Sequence, residues 1–155
     1  MTLRLVCATI LTAVAALSAG CGGGGGQPSV SAYEVAVVSA RDRTDYALAR
    51  ITRAQSKDEF LNRMDEAEAL IDKAADELAD TGAPDAYAAD NDKLVKRLHA
   101  LANDVGLTAD QIRLPGFGNF LAGARGLSFE NWDKVNLVLA RLIGEGIHVQ
   151  LLGRH

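Results

Sequence analysis

Four carboxylate side chains recur at every fourth residue in the middle of the chain. They are Glu68, Asp72, Asp76 and Asp80, and we call them the acidic strip. In a helix this spacing places all four on one face, where like charges repel by about 0.2 to 0.5 kcal/mol per pair. One interpretation is a docking surface for a basic partner or a weak surface for divalent cations. The other is a solvated face that a neighbouring helix partly neutralises.

The second interpretation makes a specific geometric prediction. If the helix that carries the strip turns back at Gly82, Glu68 comes level with Arg97 and Asp72 with Lys93. The last two members of the strip have no basic residue opposite them in this register. The strip would then be structural in its first half, while its second half would stay uncompensated.

Histidine is the side chain that most readily acts as a general base near neutral pH. The chain has His99, His148 and His155. His99 flanks an apolar helical stripe, where a structural histidine is expected. Glu145 and His148 have the Glu-x-x-His spacing of carboxylate-bridged metal sites, but that geometry needs a helix and Gly144 and Gly146 oppose one. The sequence therefore predicts no metal site.

Known catalytic motifs are missing from the sequence. After Gly116 and Gly118, the third glycine of a nucleotide-binding GxGxxG would fall at position 121, which is Leu121. No GxSxG, HExxH or phosphate-binding loop occurs. We therefore expect a protein that is not an enzyme and that uses no cofactor.

Apolar residues recur at steps of three and four and predict amphipathic helices. The first stripe consists of Tyr33, Val37, Ala40, Thr44, Leu48 and Ile51. The second consists of Phe60, Met64, Ala67, Ile71, Ala74 and Leu78. The third consists of Tyr87, Asn91, Leu94, Leu98, Leu101 and Val105. Short connections between three such helices favour antiparallel neighbours.

Capping residues indicate where these helices begin and end. Ser56 with Glu59 forms a capping box, and Gly82 stands where a left-handed cap would end the second helix. Pro84 is expected to open the third helix and Gly106 to close it. Thr108 with Gln111 then reads as another capping box, whose helix Pro115 would stop within about two turns.

The last third of the chain is less regular. Glycines interrupt a segment that carries Phe117 and Phe120, which predicts a Gly-rich loop or a bent short helix over the end of the bundle. Ser128 is expected to cap a final helix with the stripe Trp132, Val135, Leu139 and Leu142. Beyond it, Ile147, Val149 and Leu151 alternate with His148, Gln150 and Leu152, which favours an extended tail lying in a groove.

An export signal opens the chain. A start with one positive charge, Arg4, precedes an uncharged and mostly apolar run from Leu5 to Leu17 and then small residues. This order is typical of a signal peptide, and thirteen helical residues would span only about 20 Å of a hydrocarbon core of roughly 30 Å. We therefore assign residues 1–20 to a signal peptide.

Leu17-Ser18-Ala19-Gly20-Cys21 resembles the lipobox of bacterial lipoproteins. That resemblance implies cleavage before Cys21, a lipid on its thiol and an acylated new amino terminus. Ser18 stands where the family prefers Leu, and cleavage after Ser18 or Ala19 would instead give a soluble secreted protein. Cys21, five glycines and Gln27-Pro28-Ser29 together read as a lipidated cysteine and flexible tether over residues 21–29.

Cysteine usage and charge narrow the function further. Cys7 leaves with the signal peptide and Cys21 carries the lipid, so no thiol chemistry is expected in the mature domain. Without Arg4 the chain has 15 basic and 20 acidic residues, a balance that argues against binding nucleic acid. The chain as a whole is similar to small, uncharacterised helical lipoproteins of bacteria, and this resemblance implies a location and no activity.

These observations predict an all-α domain over residues 30–155: a three- to four-helix antiparallel bundle with a Gly-rich loop and an extended C-terminal tail. We expect it to be anchored by lipid on the outer side of a cell-envelope membrane and to bind an envelope partner through the bundle surface. The alternative is a carrier of a small molecule or a metal, with a pocket near Phe117, Phe120 and Trp132.

Overall fold

A computed structural model describes residues 27–115 and 129–154. These residues form four helices, and no strand occurs among them. The helices are α1 (Val30–Ile51), α2 (Lys57–Thr81), α3 (Ala88–Arg113) and α4 (Glu130–Gly144). The predicted all-α class is confirmed. Cys21, the Gly-rich segment with Phe117 and Phe120, and Ser128 lie outside the described residues.

Serine side chains start the first two helices. Ser29 Oγ accepts a hydrogen bond from the Ala32 amide at 3.2 Å, and Ser56 Oγ accepts one from the Glu59 amide at 3.1 Å. The Glu59 carboxylate accepts from the Gln55 amide at 2.7 Å, one residue before the position that a standard capping box uses. Each cap satisfies amides that the first helical turn leaves without a partner.

The predicted stripes form the core. All six stripe residues of α1, all six of α2 and five of six in the third stripe are buried, the exception being the half-buried Tyr87. In α4, Val135, Leu139 and Leu142 are buried and Trp132 is partly buried. Burying a leucine, isoleucine or phenylalanine side chain stabilises a fold by roughly 1.5 to 3 kcal/mol, so these stripes supply the main stabilising term.

Ion pairs and hydrogen bonds between helices show that neighbouring helices run antiparallel. The guanidinium of Arg43 contacts Glu77 and that of Arg50 contacts Glu66, so residue numbers fall along α2 as they rise along α1. The same relation holds between α2 and α3 and between α3 and α4; the joining pairs are Asp72–His99, Asp65–Arg113, Asp104–Asn131 and Asp90–Arg141. Each helix therefore packs against the next one in the chain.

The C-terminal tail, residues 147–154, runs parallel to α1 and antiparallel to α4. Three contacts with α1 fix its direction: His148 with Glu34, Leu151 with Arg41, and Gly153 with Asp45. Eleven helical steps from Glu34 to Asp45 rise about 16 Å, and five extended steps from His148 to Gly153 cover the same length. The tail is thus an extended segment that lies between α1 and α4.

The alternation expected in the tail breaks at its end. Ile147 is buried and Val149 is partly buried, as the pattern suggested, but Leu151 is exposed and Leu152 is buried instead. The side chain of Asn136 brackets both the amide and the carbonyl of Leu152, at 2.7 and 3.2 Å. This double hydrogen bond holds the backbone with the Leu152 side chain inward.

Three expected helix boundaries were wrong. Gly106 does not close the third helix, because α3 continues through it to Arg113, and Thr108 is no cap, since its hydroxyl donates to the Asp104 carbonyl one turn earlier. Pro84 lies in a turn, and the helix starts only at Ala88. Burial of Val105, Ala109 and Ile112 against the bundle outweighs the cost of a glycine inside the helix, about 1 kcal/mol.

Gly82 and Gly146 adopt backbone angles that other residues avoid. Gly82 has φ 68° and ψ −171°, so its φ is positive as expected, but the conformation is an extended one that is almost restricted to glycine and not the left-handed helical cap. Gly146 has φ 98° and redirects the chain from α4 into the tail. Among the described helices, none is both long and apolar enough to cross a membrane.

Candidate functional site

The acidic strip lies along the side of α2 that faces α3. His99 on α3 contacts two members of the strip. Its Nδ1 is 2.9 Å from Asp72 Oδ1, and its Nε2 is 3.5 Å from Asp76 Oδ1. Its side chain remains 41% exposed. The histidine expected to be a structural neighbour of the core is therefore the cation partner of the strip when it is protonated.

The predicted pairing of Glu68 with Arg97 and of Asp72 with Lys93 was wrong. Lys93 bonds instead to Asp90 on its own helix at 2.9 Å, and Arg97 lies 3.4 Å from Asn131 Oδ1 on α4. The connection from Gly82 to Tyr87 is the reason, because it contains its own turn and α3 begins only after it. The register of α3 on α2 consequently shifts by several residues.

Glu68 meets a glycine where a basic partner was expected. Its carboxylate packs against Gly106, so closely that a Cβ built there would lie 2.5 Å from Glu68 Oε2. This contact explains what the glycine does inside α3, since it leaves room for an acidic side chain between two helices. Within the described residues, Glu68 makes no ion pair.

The second half of the strip has few compensating cations among the described residues. The Asp76 side chain is 70% exposed and has His99 as its cation partner, and Asp80 is exposed with no ion pair among the described residues. These two carboxylates, with Asp85 in the following loop, give this end of α2 a negative potential that steers basic groups towards it.

An open groove between α2 and α3 adjoins this carboxylate pair. Its volume is about 550 Å³, and apolar atoms of four residues line much of it: Ala79, Ala83, Ala88 and Val95. Asp92, Lys96 and His99 stand along its rim. Because His99 lines the groove and also contacts Asp72 and Asp76, the groove and the strip form one continuous surface, which we call the α2–α3 face.

The start of the described chain lies at the same end of the bundle. Gln27 makes two hydrogen bonds with Asp85 through its side chain: Nε2 donates to the carboxylate, and Oε1 accepts from the Asp85 backbone amide at 3.2 Å. Residue 27 belongs to the segment expected to be the tether. The contact therefore places the beginning of the domain beside the α2–α3 connection and the groove.

A cluster of polar residues is buried at this end of the bundle as well. The rings of Tyr33 and Tyr87 stack with centroids 5.6 Å apart, and burial raises the pKa of the Tyr33 phenol well above its usual value. Asp90 accepts from Lys93 and Arg141, and these hydrogen bonds hold its pKa below the ordinary range. The cluster ties α1, α3 and α4 together and so supports one wall of the groove.

The other sequence candidates are dispersed. His148 Nδ1 lies 3.1 Å from Glu34 on α1, while the Glu145 carbonyl accepts from the Tyr87 hydroxyl, so the Glu-x-x-His pair does not converge. Trp132 stacks on Phe129 with ring centroids 6.4 Å apart. Its expected pocket partners, Phe117 and Phe120, lie outside the described residues. No group of three or more potential metal ligands gathers in the described part of the chain.

Sequence reasoning found the strip but missed the groove beside it. Four of the residues that form the groove floor are alanine or valine, which carry no chemical signature, and they gain significance only when α2 and α3 are placed side by side. Comparison with protein-family models, curated proteins and solved structures gives no match for this chain.

Proposed function

We propose that this chain is a lipid-anchored protein of the cell envelope, without enzymatic activity, that binds a partner protein through the α2–α3 face. The anchor rests on the signal-peptide pattern and Cys21. The choice of face rests on one observation: among the described residues Asp80 has no ion pair and Asp76 pairs only with His99, and this histidine lines an apolar groove.

The arrangement suits a partner segment with a small apolar side chain flanked by basic residues. The apolar part would displace water from the alanine floor, which is the term that drives most protein association. The basic groups would meet the strip, which chiefly speeds association and sets orientation. Lys96 on the rim would disfavour a purely cationic ligand and so adds selectivity.

Anchoring would bring this face near a membrane. Gln27, the first described residue, is bound to Asp85 at the groove end of the bundle, and the five glycines between Cys21 and Gln27 would span about 12 Å. A partner in the same membrane, or at its surface, would meet the α2–α3 face first.

Site-specific photo-crosslinking in intact cells tests this proposal. A photoreactive residue at Ala88, in the groove, should give a covalent product with one defined protein. The matched control is Leu107 on the same helix, exposed but outside the groove, which should give none. Equal products from both positions, or none from Ala88 with the protein present at its normal level, would contradict the proposal.

A further inference from the structure

The tail lies in a groove whose walls recognise its backbone. The Arg41 guanidinium donates twice to the Leu151 carbonyl, at 3.1 and 2.5 Å, and Asp45 accepts from the Gly153 amide at 2.6 Å. From α4, Asn136 brackets the amide and carbonyl of Leu152. Groups of the peptide backbone are common to every sequence, so these contacts favour an extended segment without prescribing its residues.

Side-chain burial in the tail is most complete at two anchors. Ile147 and Leu152, five residues apart, are 1% and 4% exposed. Between them, His148, Gln150 and Leu151 are exposed, and Val149 is partly buried. Backbone hydrogen bonds that give affinity, with a few pockets that give specificity, are the pattern of peptide recognition by extended-chain binding.

Charge adds a preference for basic segments. Glu34 on α1 contacts His148, and Asp133 on α4 lies 3.7 Å from Arg154. Asp42 and Asp45 lie 2.8 and 4.0 Å from the Arg41 guanidinium, so the preference rests on Glu34 and Asp133. Exposed pairs of this kind contribute at most about 1 kcal/mol each, so they tune the choice of segment while the anchors and backbone bonds hold it.

The helix–helix packing does not run through the tail. The helix contacts that build the bundle join α1 to α2, α2 to α3 and α3 to α4, whereas α1 and α4 make little direct contact. The tail lies between them and is connected to α4 through the turn at Gly146. Departure of the tail would break none of these three helix–helix contacts, and it would uncover the part of the core that Ile147 and Leu152 cover.

We propose that the groove between α1 and α4 is a binding site for an extended, basic peptide segment of a partner protein, with apolar residues at positions i and i+5, and that the chain's own tail occupies this site until such a segment displaces it. This site is separate from the α2–α3 face. The tail acts as an internal competitor, and the effective concentration of a segment tethered so closely is on the order of millimolar.

A fluorescent peptide with the sequence of residues 146–155 is the probe for this site. Its anisotropy is titrated with the full chain in detergent, either unchanged or carrying Leu152→Asp, which removes the anchor of the tail and leaves the groove walls intact. We expect the Leu152→Asp chain to bind the peptide at least about tenfold more tightly than the unchanged chain. The same peptide with Leu152 replaced by Asp should not bind.

A matched pair of asparagines tests the groove wall. Adding Asn136→Ala to the Leu152→Asp chain removes two hydrogen bonds to the bound backbone and should weaken peptide binding about tenfold. Adding Asn62→Ala, on the exposed surface of α2, should leave binding unchanged. No binding by a helical Leu152→Asp chain, or equal losses from both asparagines, would overturn the proposal.

If the Leu152→Asp chain unfolds, hydrogen exchange on the unchanged chain tests displacement of the tail instead. Millimolar unlabelled peptide should deprotect the amides of Leu152 and Gly153 while those of α2 and α3 keep their protection. Unchanged protection at both amides would contradict displacement. A dimer of the unchanged chain that disappears in the Leu152→Asp chain would identify the occupant as the tail of a second copy and overturn the assignment to a partner.

Discussion

His99 on α3 pairs with Asp72 on α2 across 2.9 Å, and this contact records the register in which the two helices pack. Lys93, one and a half turns earlier and the cation expected from a tight turn at Gly82, is engaged with Asp90. The consequence for function is direct. Lys93 and Arg97, which were expected to neutralise the acidic strip, contact Asp90 and Asn131 instead. His99 contacts the two carboxylates in the middle of the strip.

A double-mutant cycle tests this register. At pH 5.5, where an ordinary histidine is mostly protonated, Asp72→Asn and His99→Gln should couple by about 0.2 to 1 kcal/mol in the free energy of unfolding, because both side chains are about half exposed. The coupling should shrink as salt rises, since exposed charges are screened. The control cycle of Asp72→Asn with Lys93→Gln should show none. Coupling to Lys93 in place of His99 would restore the register predicted from sequence and refute this one.

Two glycines should respond in opposite directions to alanine. Gly106→Ala lies inside α3 and should raise the free energy of unfolding by up to about 1 kcal/mol, because the clashing group is the end of the flexible Glu68 side chain, which can turn away. Gly82→Ala should lower it by about 1 to 3 kcal/mol, since alanine rarely adopts its backbone angles. Chemical denaturation measures both, and effects of the same sign would contradict this assignment.

Much of the fold could be predicted because apolar periodicity reports burial directly. The stripe from Phe60 to Leu78 is buried as a unit, and Ser56 caps α2 where expected. The end of α3 could not be predicted in the same way. Gly106 is an ordinary stop signal when it is read along one helix, and it becomes a packing residue only through its contact with Glu68 on another helix.

The candidate site was predictable to a smaller degree. The spacing of the strip is local and could be read from the sequence, but its partners depend on the helical register, which the turn between Gly82 and Ala88 decides. The tail was expected in a groove, yet nothing local marks Asn136 or Arg41 as groove walls, because they lie 16 and 110 residues from their backbone partners. Long-range contacts of this kind leave no periodic signal.

Acid should loosen the tail through Glu34. The His148 backbone amide and imidazole both bond its carboxylate and hold its pKa below the ordinary 4.5. A carboxylate with a lowered pKa in the folded state adds stability that is fully present above the unfolded pKa and is lost as pH falls through the folded one. The protection of the His148 amide, measured as its exchange rate relative to that of an unfolded peptide at the same pH, should therefore fall below pH 4.5 in the unchanged chain and depend less on pH in Glu34→Gln. Parallel profiles would rule out this role for Glu34.

The anchor prediction concerns Cys21, the one cysteine that follows the small-residue end of the signal peptide. Cys21→Ser removes the thiol that would accept lipid. We expect loss of labelling by a radioactive fatty acid, with accumulation of uncut precursor or release into the medium. Cys7→Ser is the matched control and should leave labelling unchanged. Retention of label and membrane association in Cys21→Ser would refute the lipoprotein proposal.

Crosslinking of strip variants to the partner tests whether the α2–α3 face binds through its carboxylates. With the photoreactive residue at Ala88, Asp76→Asn together with Asp80→Asn should reduce the crosslinked product severalfold, because these carboxylates adjoin the groove. Their thermal stability should be unchanged or slightly higher, since repulsion within the strip is relieved. The control is Asp58→Asn with Asp110→Asn, an equal charge change at exposed positions outside the α2–α3 face.

That control should leave the product at its original level. If the strip variant captures the same protein as efficiently as the unchanged chain does, the α2–α3 face does not bind its partner through Asp76 and Asp80, and the proposed function is refuted. We expect the loss of crosslinked product to be confined to the strip variant, with its stability retained.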